Sequence, residues 1–196
     1  MRKFSWSCCS FVLLSFVLWL NSSCEKVIIV LSGEKPSIEH SEDTAFVNGV
    51  LGKTFHKKFE RFLKQYPQTK LLVLEKIPGS INDEWNVKTC LLVHRSGINT
   101  ALHHDSEIAS GGVDLFISGN RRFIEDGAKI GVHSWRDLRK EGSEYPKDSE
   151  EHQIFLDFFQ EIQMDTSFYW YTLKAASAAD IHWMSPDEIE QYKLRK

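Results

Sequence analysis

The feature that most constrains this chain is a series of short apolar runs, each four to seven residues long, separated by segments with helical periodicity. KVIIVL (26–31), AFVNGVL (45–51) and KLLVL (70–74) are compact and largely β-branched or leucine-rich, as buried strands are. Between the second and third, Phe55, Phe59, Phe62 and Leu63 recur at helical spacing behind Thr54, which predicts a capped helix over 54–65. After the Pro78-Gly79-Ser80 turn, residues 83–95 read as a helix closed by Gly97. Short strands are predicted at 99–102, 121–124 and 129–132, with a short helix at 110–118. Residues 32–43 read as a polar loop, 152–176 as one aromatic helical stretch, and a last helix starts at Pro186. Strands alternating with helices predict an α/β fold with largely parallel pairing and right-handed crossovers. No repeat or Pro/Ser-rich linker divides the chain, so one domain is expected over 24–196.

The first 23 residues are set apart from that pattern. Arg2 and Lys3 precede a ten-residue apolar run, 11–20 (FVLLSFVLWL), followed by Asn21, Ser22 and Ser23. A spanning helix needs about 20 apolar residues, so the run fits a signal peptide better than a membrane anchor. Small residues before Cys24 resemble a bacterial lipobox, in which that cysteine is lipidated and becomes the first residue. The expectation is an exported protein, periplasmic or anchored to a membrane as a lipoprotein. Cleavage before Cys24 removes two basic residues and no acid, moving the formal charge from −3 to −5. Cys8 and Cys9 leave with it. With Cys24 lipidated, Cys90 stands alone and the fold depends on its core rather than on crosslinks.

Composition excludes several function classes. With 24 basic against 27 acidic residues and no Lys/Arg stripe with interleaved aromatics, the chain offers no nucleic-acid surface. His103, His104 and Asp105, with His133 and His182, are the one set with metal-ligand chemistry. Adjacent histidines on a strand point to opposite faces, so no metal and no cofactor is expected. The charged run 136–151 reads as a solvated loop or a flap.

Three segments carry the candidate chemistry: Ala109-Ser110-Gly111-Gly112, Ile130-Gly131-Val132-His133, and Asp180-Ile181-His182-Trp183. A serine at a helix start has backbone N–H groups beside it, and the two glycines admit a substrate carbonyl to that backbone. Such a serine suits a nucleophile whose oxyanion must be stabilised. A histidine ending a buried strand suits a general base, which an acid further along can orient. The bland alternative is a tight helix start and a strand-end histidine that is simply hydrogen-bonded.

Ala-Ser-Gly-Gly at 109–112, Gly-Ala-Lys-Ile-Gly-Val-His at 127–133 and the Pro78-Gly79-Ser80 turn resemble the proteolytic subunit of the Clp protease and the wider crotonase-like superfamily. Trp183-Met184-Ser185-Pro186 resembles that family's closing segment. The likeness spans roughly 27–194 and is nearest to its exported, hydrolase-like branch. It implies a spiral of ββα units with a parallel sheet and flanking helices. It also implies Ser110 as nucleophile, His133 as base 23 residues later, and backbone amides of Gly111 and of Gly79 or Ser80 as the oxyanion hole. Where the family has a double glycine, this chain has Gly79-Ser80. The match does not fix the acid: a strict count back from Trp183 lands near Ser177, the nearest carboxylate is Asp180, which is taken as the orienting acid, and Asp114 is the alternative. The expected partner is a peptide or ester substrate. The aromatic set Phe155, Phe158, Phe159, Phe168, Trp170 and Tyr171 lies where the family makes subunit contacts, implying a homo-oligomer; core packing is the alternative. The rival functions are a non-catalytic lipoprotein module on the same fold and a crotonase-type acyl enzyme.

Overall fold

The computed structural model describes residues 35–196. The expected signal segment, Cys24 and the strand expected at 26–31 lie outside the described residues. Nine strands and six helices follow in chain order: β1 (Ser37–Ser41), β2 (Thr44–Asn48), α1 (Lys53–Gln65), β3 (Leu71–Leu74), β4 (Lys76–Ile77), α2 (Asp83–Arg95), β5 (Asn99–Leu102), β6 (Glu107–Ala109), α3 (Gly111–Ile117), β7 (Arg122–Ile124), β8 (Lys129–Val132), α4 (Gln153–Glu161), α5 (Thr166–Ala175), β9 (His182–Trp183) and α6 (Pro186–Gln191).

From β3 onward, each turn of the chain visits two sheets before it reaches a helix. The first sheet runs β1-β2-β3-β5-β7 and the second β4-β6-β8-β9. Pairing is parallel except at the two edges, where β1 meets β2 and β8 meets β9 antiparallel. The result is the spiral of ββα units that the resemblance implied. One-residue or short polar corners pass the chain from sheet to sheet. At the first, Glu75 N donates to Val47 O (3.0 Å) and Lys76 N to Asn48 Oδ1 (3.0 Å). At the next, Glu107 N donates to Glu75 O (2.7 Å) and Lys129 N to Ser106 O (2.8 Å), so each corner seats on the one before it.

A single buried cluster fills the space between sheets and helices. Strand β3 buries three consecutive residues, Leu72, Val73 and Leu74, as a strand covered on both faces must. Helix α1 turns Phe55, Phe59 and Phe62 inward at i, i+4 and i+7, and α2 turns in Val87, Cys90 and Val93. Phe55, Phe59, Phe116, Phe158, Phe159 and Phe168 are the largest fully buried side chains, each contributing about 2–3 kcal/mol. The last three belong to the aromatic set singled out above; the core takes them, while Trp170 and Tyr171 are half-buried.

Four local expectations are corrected. Residues 37–41 form β1, turned into β2 through Glu42 at φ 56°, rather than a loop. The strand expected over 45–51 ends at Asn48, because Gly49 (φ 91°) breaks it, and Leu51 only bridges Ser80. Helix α1 is preceded by Gly52 and takes no side-chain cap from Thr54. The stretch 152–176 is two helices, because Gln163 (φ 56°) breaks the first and Asp165 caps the second by accepting from Ser167 N at 2.7 Å. No helix among the described residues is long and apolar enough to cross a membrane.

Arg122 ties the C-terminus to this scaffold. Its guanidinium, 8% exposed, donates from Nε to Leu194 O (2.7 Å), from Nη2 to Lys193 O (2.9 Å) and from Nη1 to Ile117 O (3.3 Å). Removing a charged donor that satisfies buried carbonyls leaves those acceptors stranded. Arg122→Met is therefore expected to destabilise the fold by about 2–4 kcal/mol in a urea melt. Arg95→Met, which removes the exposed pair with Glu161, should cost no more than about 1 kcal/mol.

Candidate active site

The second sheet delivers the site. β6 ends at Ala109 and α3 begins at Gly111, leaving Ser110 alone to turn the chain. Ser110 does so at φ 52°, ψ −124°, a region that side-chain-bearing residues rarely enter. Such strain costs on the order of 1–3 kcal/mol and persists only where the surroundings impose it. They do: Ser110 N donates to Gly131 O (3.1 Å), and Ser110 O accepts from Val113 N (2.8 Å). Gly131 keeps its register on β8 because a Cβ there would meet Ile181 at 2.7 Å and Trp183 at 2.8 Å.

The 78–80 turn closes over the same corner. Gly79 adopts φ 143°, and a Cβ on it would lie 3.2 Å from Ser110 Cβ. A Cβ on Gly111 would strike Ser80 Oγ and Asn86 Nδ2, both at 2.7 Å. The backbone of Gly79, Ser80, Ser110 and Gly111 is thus packed at one place. Leu51 N binds Gly79 O (2.9 Å) and Ile81 N binds Leu51 O (3.0 Å), which anchors the turn to the first sheet.

Ser110 and His133 line one cavity of about 50 Å³, with Gly111, Asp83, Asp114, Trp135 and Tyr169 among its walls. That is room for roughly three or four waters. His133 follows β8 and is 6% exposed. Its Nδ1 lies 2.7 Å from Ser134 O. A carbonyl oxygen only accepts, so Nδ1 carries the proton and the lone pair of the neutral ring sits on Nε2. Ser134 is held in turn, its N donating to Ala176 O (2.9 Å) and its Oγ accepting from Ser143 N (3.1 Å).

The structure does not bring Asp180 to this place. Asp180 is exposed, its carboxylate accepts from its neighbour Ile181 N at 2.8 Å, and it is not part of the cavity wall. Asp114, one turn into α3, is part of it. Asn86 Nδ2 donates both to Asp114 Oδ2 and to Gly111 O, each at 3.2 Å. Burial, and then the negative charge of Asp83, push the Asp114 carboxyl up to about 7, against the lowering effect of Asn86. Asp83, in the first turn of α2, escaped the sequence reading because an acid there looks like ordinary compensation of the helix dipole. Phe155, Phe159, Phe168, Tyr169 and Thr172, also on the wall, come from the stretch 152–176, which carried only an aromatic pattern.

The histidines weighed as a metal set are scattered. His103 and His104 follow β5 in a turn rather than lying on a strand, and His104 is beside Glu125. His182 Nε2 meets both oxygens of Glu188 at 3.0 Å. Tyr171, the Ser185 amide and His182 together hold the Glu188 carboxyl down at about 2. Among the described residues no group of three or more metal-type side chains is clustered.

No known family pattern matches this sequence, and no curated protein matches it. Solved structures do. The chain is similar to the 1510-N membrane-bound stomatin-specific protease, solved with a substrate peptide, at a TM-score of 0.53 and 13% identity, over 77% of this chain and 71% of that one. It is similar to an enoyl-CoA hydratase from Bacillus anthracis at 0.50 and 13%, over 82% and 68%. It is similar to methylmalonyl CoA decarboxylase at 0.53 and 8%, over 82% and 65%. The fold is Clp-protease/crotonase-like, one that the membrane-bound protease and these acyl-CoA enzymes share.

The Asp114 shift has a stability consequence. An acid whose folded value is raised from about 3.8 to about 7 binds its proton more tightly in the native state. Its penalty is therefore complete above pH 7 and vanishes as pH falls towards 4. The difference in thermal midpoint between wild type and Asp114→Asn is expected to shift in favour of wild type on acidification across that window. Melts of both proteins at half-unit pH steps would show it; a flat difference would contradict it.

Proposed function

We propose that the protein is an exported serine hydrolase, peptidase-like, with Ser110 as nucleophile and His133 as general base. The observation that carries this is the strained Ser110 corner, held at φ 52° on the wall of the cavity that also contains His133. A backbone cost of this kind has no packing purpose that glycine would not serve better, so the hydroxyl is what it retains.

In this reading Ser110 Oγ attacks the substrate carbonyl while His133 Nε2 takes its proton. Nδ1 keeps its own proton on Ser134 O throughout, which fixes the tautomer the reaction needs. The tetrahedral oxyanion lies against the amides of Gly111 and of Gly79 or Ser80, and collapse releases the leaving group with the proton from Nε2. Water then repeats the sequence on the acyl-serine. Glycine at 79 and 111 is required by close approach of the two backbones, since a Cβ at 79 would crowd Ser110 and one at 111 would strike Ser80 and Asn86. The acid role expected of Asp180 has no support in its placement, and Asp180→Asn should leave turnover within about twofold.

A fluorophosphonate probe on the full chain tests the assignment. Ser110 should be labelled in wild type, and Ser110→Ala should abolish labelling with little change in thermal midpoint, because alanine keeps the same strain. Ser110→Gly should abolish labelling and stabilise the fold by about 1 kcal/mol, as relief of that strain exceeds the entropy glycine adds to the unfolded chain. An acyl-CoA hydratase on this fold, or a non-catalytic module, would leave Ser110 unlabelled.

A further inference from the structure

We propose that Asp83 is the positioning carboxylate of this site, the anion against which the His133 imidazolium forms. The inference rests on the hydrolase reading for its purpose, but on the cavity for its evidence. Among the described carboxylates, Asp83 and Asp114 are the two that share a wall with Ser110 and His133. Asp114 is a poor anion: it is committed to Asn86 and, with its carboxyl near 7, is half protonated at neutral pH. Asp180 lies outside the wall. Asp83 remains, and its charge reaches into the cavity, since it is felt at both Asp114 and the Tyr169 phenol.

Asp83 is itself exposed, but unlike Asp180 it is exposed on the cavity wall, and its backbone is held there. Asn82 caps α2 by accepting from Trp85 N at 2.9 Å, which fixes the first turn. Ser80 Oγ lies 3.4 Å from Asp83 Oδ1, linking the carboxylate to the turn that packs on Ser110. The acid therefore arrives from α2, on the nucleophile's side of the fold, rather than from the chain after β8. Because Nδ1 is already engaged by Ser134 O, this carboxylate acts by its charge on the developing imidazolium and not by choosing the tautomer. The other titratable groups around the ring are Asp114 from α3 and Tyr169 from α5, with His182 of β9 paired to Glu188 of α6. No lysine or arginine lines the cavity.

The test reads the His133 ring directly. In full-length protein carrying ¹³C-labelled histidine, the His133 resonance, assigned by its loss in His133→Gln, is titrated against pH. Asp83→Asn should lower its midpoint by about one pH unit, Asp83→Glu should recover at least half of that, and Asp180→Asn should leave it unchanged. Asp83→Ser, which keeps a residue suited to a helix start, serves if Asp83→Asn does not fold. An unmoved midpoint in the folded Asp83 variant, or a larger shift in Asp180→Asn, would overturn the assignment. Fluorophosphonate labelling of Ser110 is scored separately. A shifted midpoint with Ser110 unlabelled would retain the Asp83–His133 coupling and reject the hydrolase reading, and the reverse result would do the opposite.

Discussion

Everything at this site depends on one backbone corner. The chain must leave β6 and enter α3 within a single residue, and Ser110 makes that turn in a conformation few side chains tolerate. It is held there by a hydrogen bond to Gly131 on one side and by the Gly79-Ser80 turn on the other. Those two clamps come from different turns of the spiral. The corner is therefore a product of the whole ββα stack, in which each sheet-to-sheet corner seats on the one before it. Loosening the register between β6 and β8 would relax the serine and undo the approach of the 78–80 turn together.

The electrostatics of the cavity follow from the same stacking. Helices α2 and α3 start beside the serine corner and each brings a carboxylate, Asp83 and Asp114, to the cavity wall. The two charges oppose each other, and the more enclosed of them yields by holding its proton. Asn86 mediates between Asp114 and the Gly111 carbonyl, so the ionisation of one carboxyl is coupled to the backbone next to Ser110. Trp135, also on the wall, donates to the Tyr169 hydroxyl (2.9 Å), which also meets His152 Nδ1 (2.6 Å). The cavity lining thus combines two acids with aromatic side chains. A fold shared by a protease and acyl-CoA enzymes is compatible with several chemistries, and the choice among them lies in these side chains rather than in the scaffold.

Much of the scaffold was legible in the sequence. Helix α2, strand β5 and strand β8 stand at the residues their patterns indicated, because strong local signals (Asn82 before the helix, Gly97 after it, apolar runs between polar corners) agree with the tertiary demand. The misreadings occurred where local chemistry and context diverge. Residues 37–41 are polar because β1 is an edge strand, and polarity made them look like a loop. The break at 162–165 was visible only as an Asp-Thr-Ser cap inside an otherwise unbroken aromatic stretch.

For the site, the sequence by itself determined the identities and spacing of Ser110 and His133, and the glycines that let backbone crowd the serine. Those are local matters of chain conformation and side-chain chemistry, and residue type carries them. It could not determine which carboxylate stands with them. Asp83, Asp114 and Asp180 look alike in one dimension: two are first-turn helix acids and one follows a turn. Only the folding of α2 and α3 against the second sheet places Asp83 and Asp114 on the cavity wall and leaves Asp180 in solvent. Charge acts through distance and dielectric, and both are properties of the packed structure rather than of the order of residues.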